Sequence, residues 1–406
     1  MARIEEITTV CYVGAGTMGS VNSLVAAIAG YDTVLYDLDA GTLEQVRDRQ
    51  REFADFMVAT GFCTEHDVTA AFERIRTTTD AADAAARADL VSESVVESVD
   101  VKRSVHAQFD ALCPPHTILT TNTSALLVSD IEDAVARGER FAALHSHMGS
   151  LLVDIVGGPR TTPDTIDVLR RYVLSLNAIP LVMNRESPGY IVNALLGPLL
   201  TSAAHLVVLD LADVATVDSS WMVHSGAPMG PFAMLDMFGL DMVLHNWQNP
   251  SPDDTPFRLA RRAQTVPLMR HIVDQGHYGM KTGKGFYDYP EPAYQSPDFA
   301  DHADATVHDH LLTAVAVKAT LLAADDIADP IDIDRAWIAA TSLPIGPFGV
   351  IDQIGVDQFL GMCVERARLG LVADDDLDLS RAYLGSLDGT FYTYPDPEYT
   401  RPDFVR

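Results

Sequence analysis

A glycine turn near the start of the chain constrains the fold more than any other stretch. The apolar run Thr9 to Val13 leads into Gly14-Ala-Gly-Thr-Met-Gly19, which fits the spacing G-x-G-x-x-G between a strand and a helix. The first glycine permits a tight turn, the second lets backbone approach a pyrophosphate, and the third lets the helix pack closely on the strand. The helix N-terminus then offers free N–H groups to the phosphates. We therefore predict a dinucleotide site that includes Gly14, Gly16, Thr17, Met18 and Gly19.

A carboxylate at the end of the second apolar strand indicates which dinucleotide is bound. The run Thr33-Val-Leu-Tyr36 ends in Asp37, about 20 residues beyond the glycine turn. A carboxylate in this place accepts a hydrogen bond from the adenosine ribose 2′-hydroxyl, and it repels a 2′-phosphate. The sequence therefore favours NAD over NADP.

Strand-like and helical segments alternate over residues 1–186. This alternation predicts an α/β fold of the Rossmann type, with a doubly wound, mostly parallel sheet. Within it, residues 40–76 show apolar positions at helical spacing and are expected to form a helical pair. A further helix is expected from about Ser129 to Ala136. Polar groups at the carboxyl ends of the strands should face one crevice.

The second half of the chain contains an internal repeat. From Ser187 onward the pattern is helical, and Asp218, Trp221, Pro228-Met-Gly-Pro-Phe232 and Asp236 recur exactly 116 positions later. Such a repeat predicts a duplicated all-α domain, with copies at 187–290 and 291–406. We expect the second copy to be structural, and the tail from Asp388 to be an extended arm on the surface.

Composition excludes several classes of partner and site. The 406 residues carry a formal net charge of −29, which makes nucleic acid and anionic membranes poor partners. No apolar run reaches the roughly 18 residues of a membrane span. The four cysteines are scattered without a C-x-x-C pair, so neither a disulfide framework nor a zinc site is indicated, and no metal is expected. A cytoplasmic protein is the expectation.

One histidine has the position of a catalytic base. His145 ends a predicted strand, and its ordinary pKa lies near neutrality, as suits a group that takes a hydroxyl proton. Asp154, on the next strand, could orient the imidazole. His147 is the competitor, because alternation would point it to the same side. The alternative reading is a polar strand-end histidine without a role.

Three further polar residues are candidates for holding a substrate or cofactor. Asn122 and Ser124 follow another strand, where they offer hydrogen bonds; helix capping and turn formation are their ordinary alternatives. Asn193 lies in an otherwise apolar stretch at the start of the helical region. An amide in such a place needs hydrogen-bond partners, and a cleft would provide them.

Together these features resemble the 3-hydroxyacyl-CoA dehydrogenase family over nearly the whole chain. The motifs are the glycine turn, Glu93-Ser-Val-Val-Glu97 with Lys102, Asn122-Thr-Ser124, Leu144-His145, Ser187-Pro-Gly-Tyr-Ile-Val-Asn193, Pro228-Met-Gly-Pro-Phe232 and Lys281-Thr-Gly-Lys-Gly-Phe-Tyr287.

The resemblance implies a role for each matched residue. His145 would be the base, supported by Asp154, while Ser124 and Asn193 would hold the substrate oxygen. The implied NAD contacts are Glu97, Lys102, Asn122 and Lys281, in addition to the glycine turn and Asp37. The tandem helical copies are similar to those of the longer members, where the second copy imitates a partner subunit, so a monomer or a homodimer is expected.

The segment after His145 departs from the family pattern. The family continues with Phe-Phe-Asn-Pro, whereas this chain has Ser146-His-Met-Gly149, and the stretch to the acid is about three residues shorter. The acid is Asp154 where the family has glutamate. Because aspartate is one methylene shorter, either the strands lie closer or the contact between histidine and acid is lost.

The family's CoA-binding stretch is also unusual. Where relatives present basic residues to CoA, the helical pair carries Arg47, Arg49 and Arg51 but no lysine. The expected activity is NAD-dependent oxidation of a 3-hydroxyacyl thioester, with CoA as the carrier, to the 3-oxoacyl form, or the reverse. Two alternatives stay open: a free or carrier-protein-bound 3-hydroxy acid as substrate, and a catalytically silent NAD-binding protein.

Overall fold

The computed structural model describes residues 3–124, 126–147, 151–249 and 254–398. The described chain forms two compact units. The first comprises Met1–Tyr190 and Ile327–Asp329, and the second comprises Ile191–Asp326 and the chain from Pro330. Met148 and Gly149, which depart from the family pattern, lie outside the described residues.

An eight-stranded sheet forms the centre of the first unit. Its strands are β1 (Thr9–Val13), β2 (Asp32–Tyr36), β3 (Ile75–Thr78), β4 (Leu90–Glu93), β5 (Ile118–Thr121), β6 (Phe141–Ser146), β7 (Leu152–Gly157) and β8 (Ile179–Met183). They lie in the order β3-β2-β1-β4-β5-β6-β7-β8, and every neighbouring pair is parallel except β6 with β7. The strand order reverses between β1 and β4, which is where open α/β sheets bind ligands. The α/β, Rossmann-type prediction is confirmed.

Seven helices accompany this sheet in the described part of the first unit. They are α1 (Thr17–Ile28), α2 (Ala40–Glu44), α3 (Val46–Ala59), α4 (Glu65–Arg74), α5 (Ala81–Ala85), α6 (Val99–Leu112) and α7 (Pro163–Ser175). The prediction of a helical pair over residues 40–76 is wrong in detail, because three helices form and Ile75 begins the edge strand β3.

The helix predicted from Ser129 to Ala136 is also wrong. That stretch contains two short 3₁₀ turns, Val128–Asp130 and Glu132–Ala134. The Arg160 guanidinium, from a distant part of the chain, donates to the carbonyls of Glu132 and Val135 at 3.2 and 3.1 Å. These carbonyls are therefore satisfied without an α-helical turn.

Among its described residues the second unit has ten α-helices, five in each half. The first half has α8 (Val192–Val208), α9 (Val214–Ser225), α10 (Pro231–Phe238), α11 (Leu240–Gln248) and α12 (Pro256–Val273). The second half has α13 (Ala305–Ala324), α14 (Pro330–Thr341), α15 (Pro347–Ile354), α16 (Val356–Arg368) and α17 (Asp374–Gly385). By length and composition, helix α13 is long and apolar enough to span a membrane. Of its most apolar 18-residue stretch, 61 % is buried within the protein. It packs against helices of both halves, including α8, α9 and α15.

Each half of the second unit is closed by an equivalent pair of aspartates, of which Asp218, Asp236 and Asp334 are buried and Asp352 is partly buried. In the first half, Asp218 accepts the N–H groups of Phe232 and Ala233 and the hydroxyl of Tyr287, at 2.8 to 2.9 Å. Asp236 accepts the N–H groups of Phe286 and Tyr287 at 2.9 and 3.0 Å. We call this arrangement the aspartate clasp.

The second half repeats the clasp with residues of the tail. Asp334 accepts the Tyr392 hydroxyl at 2.7 Å, and Asp352 accepts the N–H groups of Phe391 and Tyr392 at 2.9 and 3.0 Å. Most of the described tail from Asp388 is exposed, in line with the predicted surface arm, but Tyr392 is buried and holds the tail against the helices. The duplication thus continues into this tail.

Candidate active site

The glycine turn has the geometry that a bound dinucleotide needs. Gly14 has a φ of +98°, and a Cβ added there would lie 2.6 Å from the Ser94 carbonyl oxygen. A Cβ on Gly19 would lie 1.8 Å from the Gly14 carbonyl oxygen, whereas one on Gly16 would meet no atom within 4 Å. Helix α1 begins at Thr17 with no capping side chain and no acidic residue in its first turn. Its N–H groups are therefore available to a pyrophosphate beside Gly16, so these residues fit NAD.

Asp37 lies directly after β2 and contacts the glycine turn. Its Oδ2 atom accepts the Ala15 N–H at 2.8 Å, and its Oδ1 atom accepts the Asp39 N–H at 3.0 Å. Each carboxylate oxygen can accept a further hydrogen bond. The backbone thus fixes the carboxylate and leaves it able to accept a ribose hydroxyl.

A buried ion-pair network lies beneath the predicted NAD contacts. Glu93, at the end of β4, receives the Lys102 ammonium at 2.7 Å, the Thr121 hydroxyl at 2.7 Å and the His106 imidazole at 3.2 Å. Burial raises the pKa of Glu93, but His106 and Lys102 outweigh it and lower the value to about 2. Lys102 is fully buried and also pairs with Glu97 at 3.3 Å. Any part that Lys102 plays in NAD binding therefore acts through Glu97 and not through a direct contact.

Glu97 and Asn122 organise the strand ends around Ser124. The Glu97 carboxylate accepts the Thr123 hydroxyl and the Ser124 N–H, the latter at 3.1 Å. The Asn122 side-chain oxygen accepts the Ser146 N–H at 2.8 Å, which joins the end of β5 to the end of β6. Ser124 is exposed. Its backbone is thus fixed while its hydroxyl stays accessible to a substrate.

The antiparallel pairing of β6 and β7 places His145 directly opposite Asp154. His145 Nδ1 lies 2.9 Å from Asp154 Oδ2. The contact that the shorter acid put in question is therefore present. In the tautomer that carries its proton on Nδ1, the Nδ1–H group donates to Asp154 and the Nε2 lone pair is free to accept a proton from a substrate.

His147 lies on the same side as His145, as alternation along the strand predicted, and it reaches the same carboxylate oxygen. Its Nε2 atom lies 2.7 Å from Asp154 Oδ2, and the rings of His145 and His147 are 4.6 Å apart. Asp154 is fully buried, which raises its pKa, but the two imidazoles outweigh burial and the net shift is downward. We call these three residues the His-Asp-His cluster. Their donor atoms lie within 4.8 Å of one another, so they could also hold a metal ion.

Tyr190 completes the surroundings of His145. Its ring lies 5.3 Å from the imidazole, and its hydroxyl is buried with no hydrogen-bond partner among the described residues. Burial, together with the nearby Asp154 charge, raises the pKa of this hydroxyl. Oδ1 of Asp154 is likewise buried without a partner in the described part of the chain. Tyr190 stands out in the sequence only by its place in the Ser187 motif.

Two predicted site residues belong to the second unit. Asn193 is exposed in the first turn of α8. Lys281, in the glycine-rich loop, forms an ion pair with Asp241 at 2.5 Å. Their predicted roles in holding substrate oxygen and NAD stay predictions.

The arginines of α3 are engaged in contacts within the first unit. Arg47 stacks over the Phe72 ring at 4.1 Å from its centroid, and Arg49 donates to the Ala15 carbonyl at 2.9 Å. Arg51 pairs with both Asp55 and Glu65 at 3.0 Å. Each of these three guanidinium groups therefore has a partner within the first unit.

Comparison with known proteins agrees with this architecture. The model of the 3-hydroxyacyl-CoA dehydrogenase NAD-binding domain matches residues 9–187, and the model of that family's C-terminal domain matches residues 189–289 and 307–371. The mitochondrial hydroxyacyl-coenzyme A dehydrogenase of Rattus norvegicus is 33 % identical over 294 residues, which cover 70 % of this chain and 91 % of that protein.

Two solved structures are also similar. A diketoreductase, described as acting on dicarbonyl compounds, is 30 % identical with a TM-score of 0.65, over 70 % of this chain and all of that one. The 3-hydroxybutyryl-CoA dehydrogenase of Escherichia coli K12 shares the fold, with a TM-score of 0.80 and 22 % identity over 93 % of this chain and 98 % of that one. The chain therefore belongs to the 3-hydroxyacyl-CoA dehydrogenase family and is an NAD-dependent oxidoreductase.

Proposed function

We propose that this enzyme oxidises the 3-hydroxyl group of a 3-hydroxyacyl thioester, such as a 3-hydroxyacyl-CoA, to the 3-oxoacyl form, and that the reaction is reversible. The observation that carries the proposal is the short contact between His145 Nδ1 and the buried Asp154. NAD, when bound, supplies the nicotinamide carbon that accepts the hydride.

In this mechanism each residue has a defined part. His145 accepts the hydroxyl proton at Nε2, and the Asp154 carboxylate stabilises the imidazolium that results. The exposed Ser124 hydroxyl donates a hydrogen bond to the substrate oxygen and so aligns it with His145. Asn193 is proposed to assist in holding the same oxygen.

The test is a pair of histidine variants. His145→Ala should lose turnover of every 3-hydroxyacyl substrate while NAD binding, measured by titration, persists. His116→Ala is the matched control, because His116 also pairs with an aspartate, Asp89, at 2.9 Å but lies elsewhere in the first unit. Full turnover by His145→Ala would remove His145 as the base.

A second candidate substrate is a 3-hydroxy acid that is free or bound to a carrier protein. It is favoured by the engaged arginines of α3 and by the net charge of −29, since CoA phosphates need cations. The similarity to a diketoreductase points the same way. Comparable kcat/KM values for CoA, pantetheine and free-acid substrates would favour this version, whereas a strong preference for CoA would favour the first.

We also propose that the enzyme acts as a monomer. Within the second unit α8 packs along α13, and Trp221 meets Trp337 of the other half at a ring distance of 6.4 Å. The surface that one helical copy offers to a partner is thus covered by the second copy. Light scattering after gel filtration would show a dimer if this reasoning is wrong.

A further inference from the structure

The His-Asp-His cluster contains one imidazole more than the proposed mechanism uses. His145 and His147 both reach Oδ2 of Asp154, at 2.9 and 2.7 Å, and one donor atom from each of the three residues lies within 4.8 Å of the others. The mechanism employs His145 and Asp154 and leaves His147 without a part. The family pattern has phenylalanines after its histidine, so the second imidazole belongs to this chain's departure from that pattern.

The carboxylate of the cluster has no permanently charged cation beside it. Asp154 is fully buried, and over the described ranges its ion-pair partners are the two histidines, with no lysine or arginine among them. Its Oδ1 atom is buried and has no hydrogen-bond partner in the same part of the chain. Buried charges in proteins are paired or coordinate a metal ion. A divalent cation bound to this carboxylate would supply the missing positive charge.

The donor atoms determine which kind of ion fits. Two imidazole nitrogens and one carboxylate oxygen suit Zn²⁺ and similar divalent transition metals, whereas Mg²⁺ and Ca²⁺ prefer oxygen ligands. Three protein ligands with an open fourth position are typical of zinc sites that exchange their remaining ligand. The cluster contains no cysteine, which is why cysteine spacing does not reveal it.

The cluster needs only a small adjustment to surround such an ion. Zinc bonds of about 2.0–2.1 Å at tetrahedral angles place the ligand atoms about 3.3 Å apart, so each contact with Asp154 must lengthen by roughly half an ångström. His147 lies beyond the end of β6, and its side chain is 15 % exposed. Its ring can therefore move without breaking the strand pairing, and an ion can enter from its side.

We propose that the His-Asp-His cluster binds a divalent transition-metal ion of the Zn²⁺ type, and that the bound ion inhibits the enzyme. The ion accepts lone pairs from His145 Nδ1, His147 Nε2 and the Asp154 carboxylate, and it releases water molecules in exchange. No electron is transferred. The binding site follows from the cluster alone, whereas the effect on turnover rests on the proposed function.

Inhibition follows from the tautomer of His145. A neutral imidazole that binds a metal through one nitrogen carries its proton on the other. The proton that leaves Nδ1 is thus matched by one at Nε2. Nε2 then donates a hydrogen bond instead of accepting one, so it cannot take the hydroxyl proton of the substrate.

Zinc titration of the metal-free enzyme tests the proposal. After EDTA treatment and removal of the EDTA, NADH formation from a 3-hydroxyacyl pantetheine thioester would be followed at increasing free Zn²⁺, with Mg²⁺ as the control ion. We expect saturating Zn²⁺ to lower kcat by about 100-fold or more, which is the contribution of a general base. The KM for the substrate should stay the same, because the ion lies on the Nδ1 side of the ring, and EDTA should restore the rate. Undiminished turnover at saturating Zn²⁺, or inhibition that raises only the KM, would overturn the proposal.

Replacing His147 tests whether this residue is a ligand. His147→Phe should raise the Zn²⁺ concentration for half inhibition, relative to the variant's own metal-free rate, by about 100-fold, since loss of even an outer-shell partner of a metal costs about 10-fold to 100-fold in affinity. His116→Ala is the matched control, because His116 pairs with Asp89 at 2.9 Å outside the cluster, and it should leave the zinc dependence as it is. If His147→Phe does not fold, His147→Gln keeps a hydrogen-bonding side chain without an imidazole and should act in the same way. Unaltered inhibition in a folded His147 variant would contradict the assignment.

Calorimetric titration with Zn²⁺ separates this inference from the proposed function. The wild-type protein should bind one ion per chain more than His147→Phe does. If no 3-hydroxy substrate is oxidised but this difference is present, the proposed function fails and the metal site stands. If substrates are oxidised and the two proteins bind Zn²⁺ alike, the metal site fails alone.

Discussion

Replacing Asp154 by asparagine removes the charge that His145 and His147 share. The side chain keeps its size, so the fully buried site stays filled. The amide oxygen can still accept a hydrogen bond, but it no longer offers a negative charge to the imidazolium formed when His145 takes the substrate proton. The amide can also present its N–H₂ group to the ring, which would hold the wrong tautomer.

The magnitude follows from the 2.9 Å contact of His145 with this carboxylate. A hydrogen bond to a charged partner contributes about 1.5–3 kcal/mol, against about 0.5–1.5 kcal/mol for a neutral one. The difference of roughly 1–2 kcal/mol is about a tenfold loss of rate, because each 1.4 kcal/mol is a factor of ten. The tautomer error adds to this loss, so we expect kcat to fall by about 100-fold to 1,000-fold.

The assay is steady-state NADH formation with saturating NAD and the preferred 3-hydroxyacyl substrate. Because Asp154→Glu keeps the charge, it should retain more activity than Asp154→Asn. The extra methylene in the packed site should cost about 1–3 kcal/mol of stability. Asp164→Asn, at an exposed position of α7, controls for the loss of a charge. A drop of less than about threefold in kcat for Asp154→Asn would refute the reasoning, because the carboxylate would then not support the base.

Further outcomes follow from other contacts. Gly19→Ala places a methyl group 1.8 Å from a carbonyl oxygen and should lower the melting temperature sharply. The methyl group of Gly16→Ala meets nothing within 4 Å, so this variant should keep the wild-type melting temperature but raise the KM for NAD by about tenfold. Burial raises the pKa of Asp218 and of Asp334 to about 7. Each therefore releases a proton on unfolding between about pH 4 and 7. The free energy of unfolding, from urea titration followed by tryptophan fluorescence, should fall by about 1.4 kcal/mol per pH unit for each aspartate as pH rises through that window, and less steeply in the asparagine variants. A free energy of unfolding that rises with pH would contradict this. His147→Phe leaves the shared carboxylate to one imidazole and should change kcat by less than about tenfold in the same NADH assay; a larger loss would make His147 essential to the reaction.

The nucleotide-binding half could be predicted well because its signals are local. The glycine turn, Asp37 and the alternation of strands and helices each depend on neighbouring residues. Strand β3 was missed because Ile75 continues the apolar spacing of α4 without a glycine or proline to mark the change. The 3₁₀ turns near Glu132 depend on hydrogen bonds from Arg160, about which a local pattern contains no information.

In the candidate site, too, features set by local pattern could be predicted, whereas contacts that depend on distant residues could not. His145 and Asp154 could be paired because they lie on consecutive predicted strands, and the sheet register makes them direct neighbours. Alternation placed His147 on the side of His145, but its contact with the same Asp154 oxygen depends on the path of the chain beyond the end of β6.

The clasp in the tail could have been found from the sequence. Phe286-Tyr-Asp-Tyr-Pro290 recurs as Phe391-Tyr-Thr-Tyr-Pro395, but at an offset of 105 positions, whereas the rest of the repeat is offset by 116. A search at one fixed spacing passes over it. Helix α17 has 12 residues where α12 has 18, which contributes most of the shorter spacing.

The clasp of the second half sets an order for folding during synthesis. Asp334 receives the Tyr392 hydroxyl from 58 residues further along the chain, so its carboxylate cannot be fully satisfied until that tyrosine has left the ribosome. The strands of the nucleotide-binding sheet are all translated by Met183, long before this point. The second helical copy is thus the part completed last. A nascent chain that stops before Phe391, or a protease that removes the chain from that residue, would take away the Tyr392 hydroxyl that Asp334 accepts. The loss would destabilise the second helical copy and not merely shorten the tail.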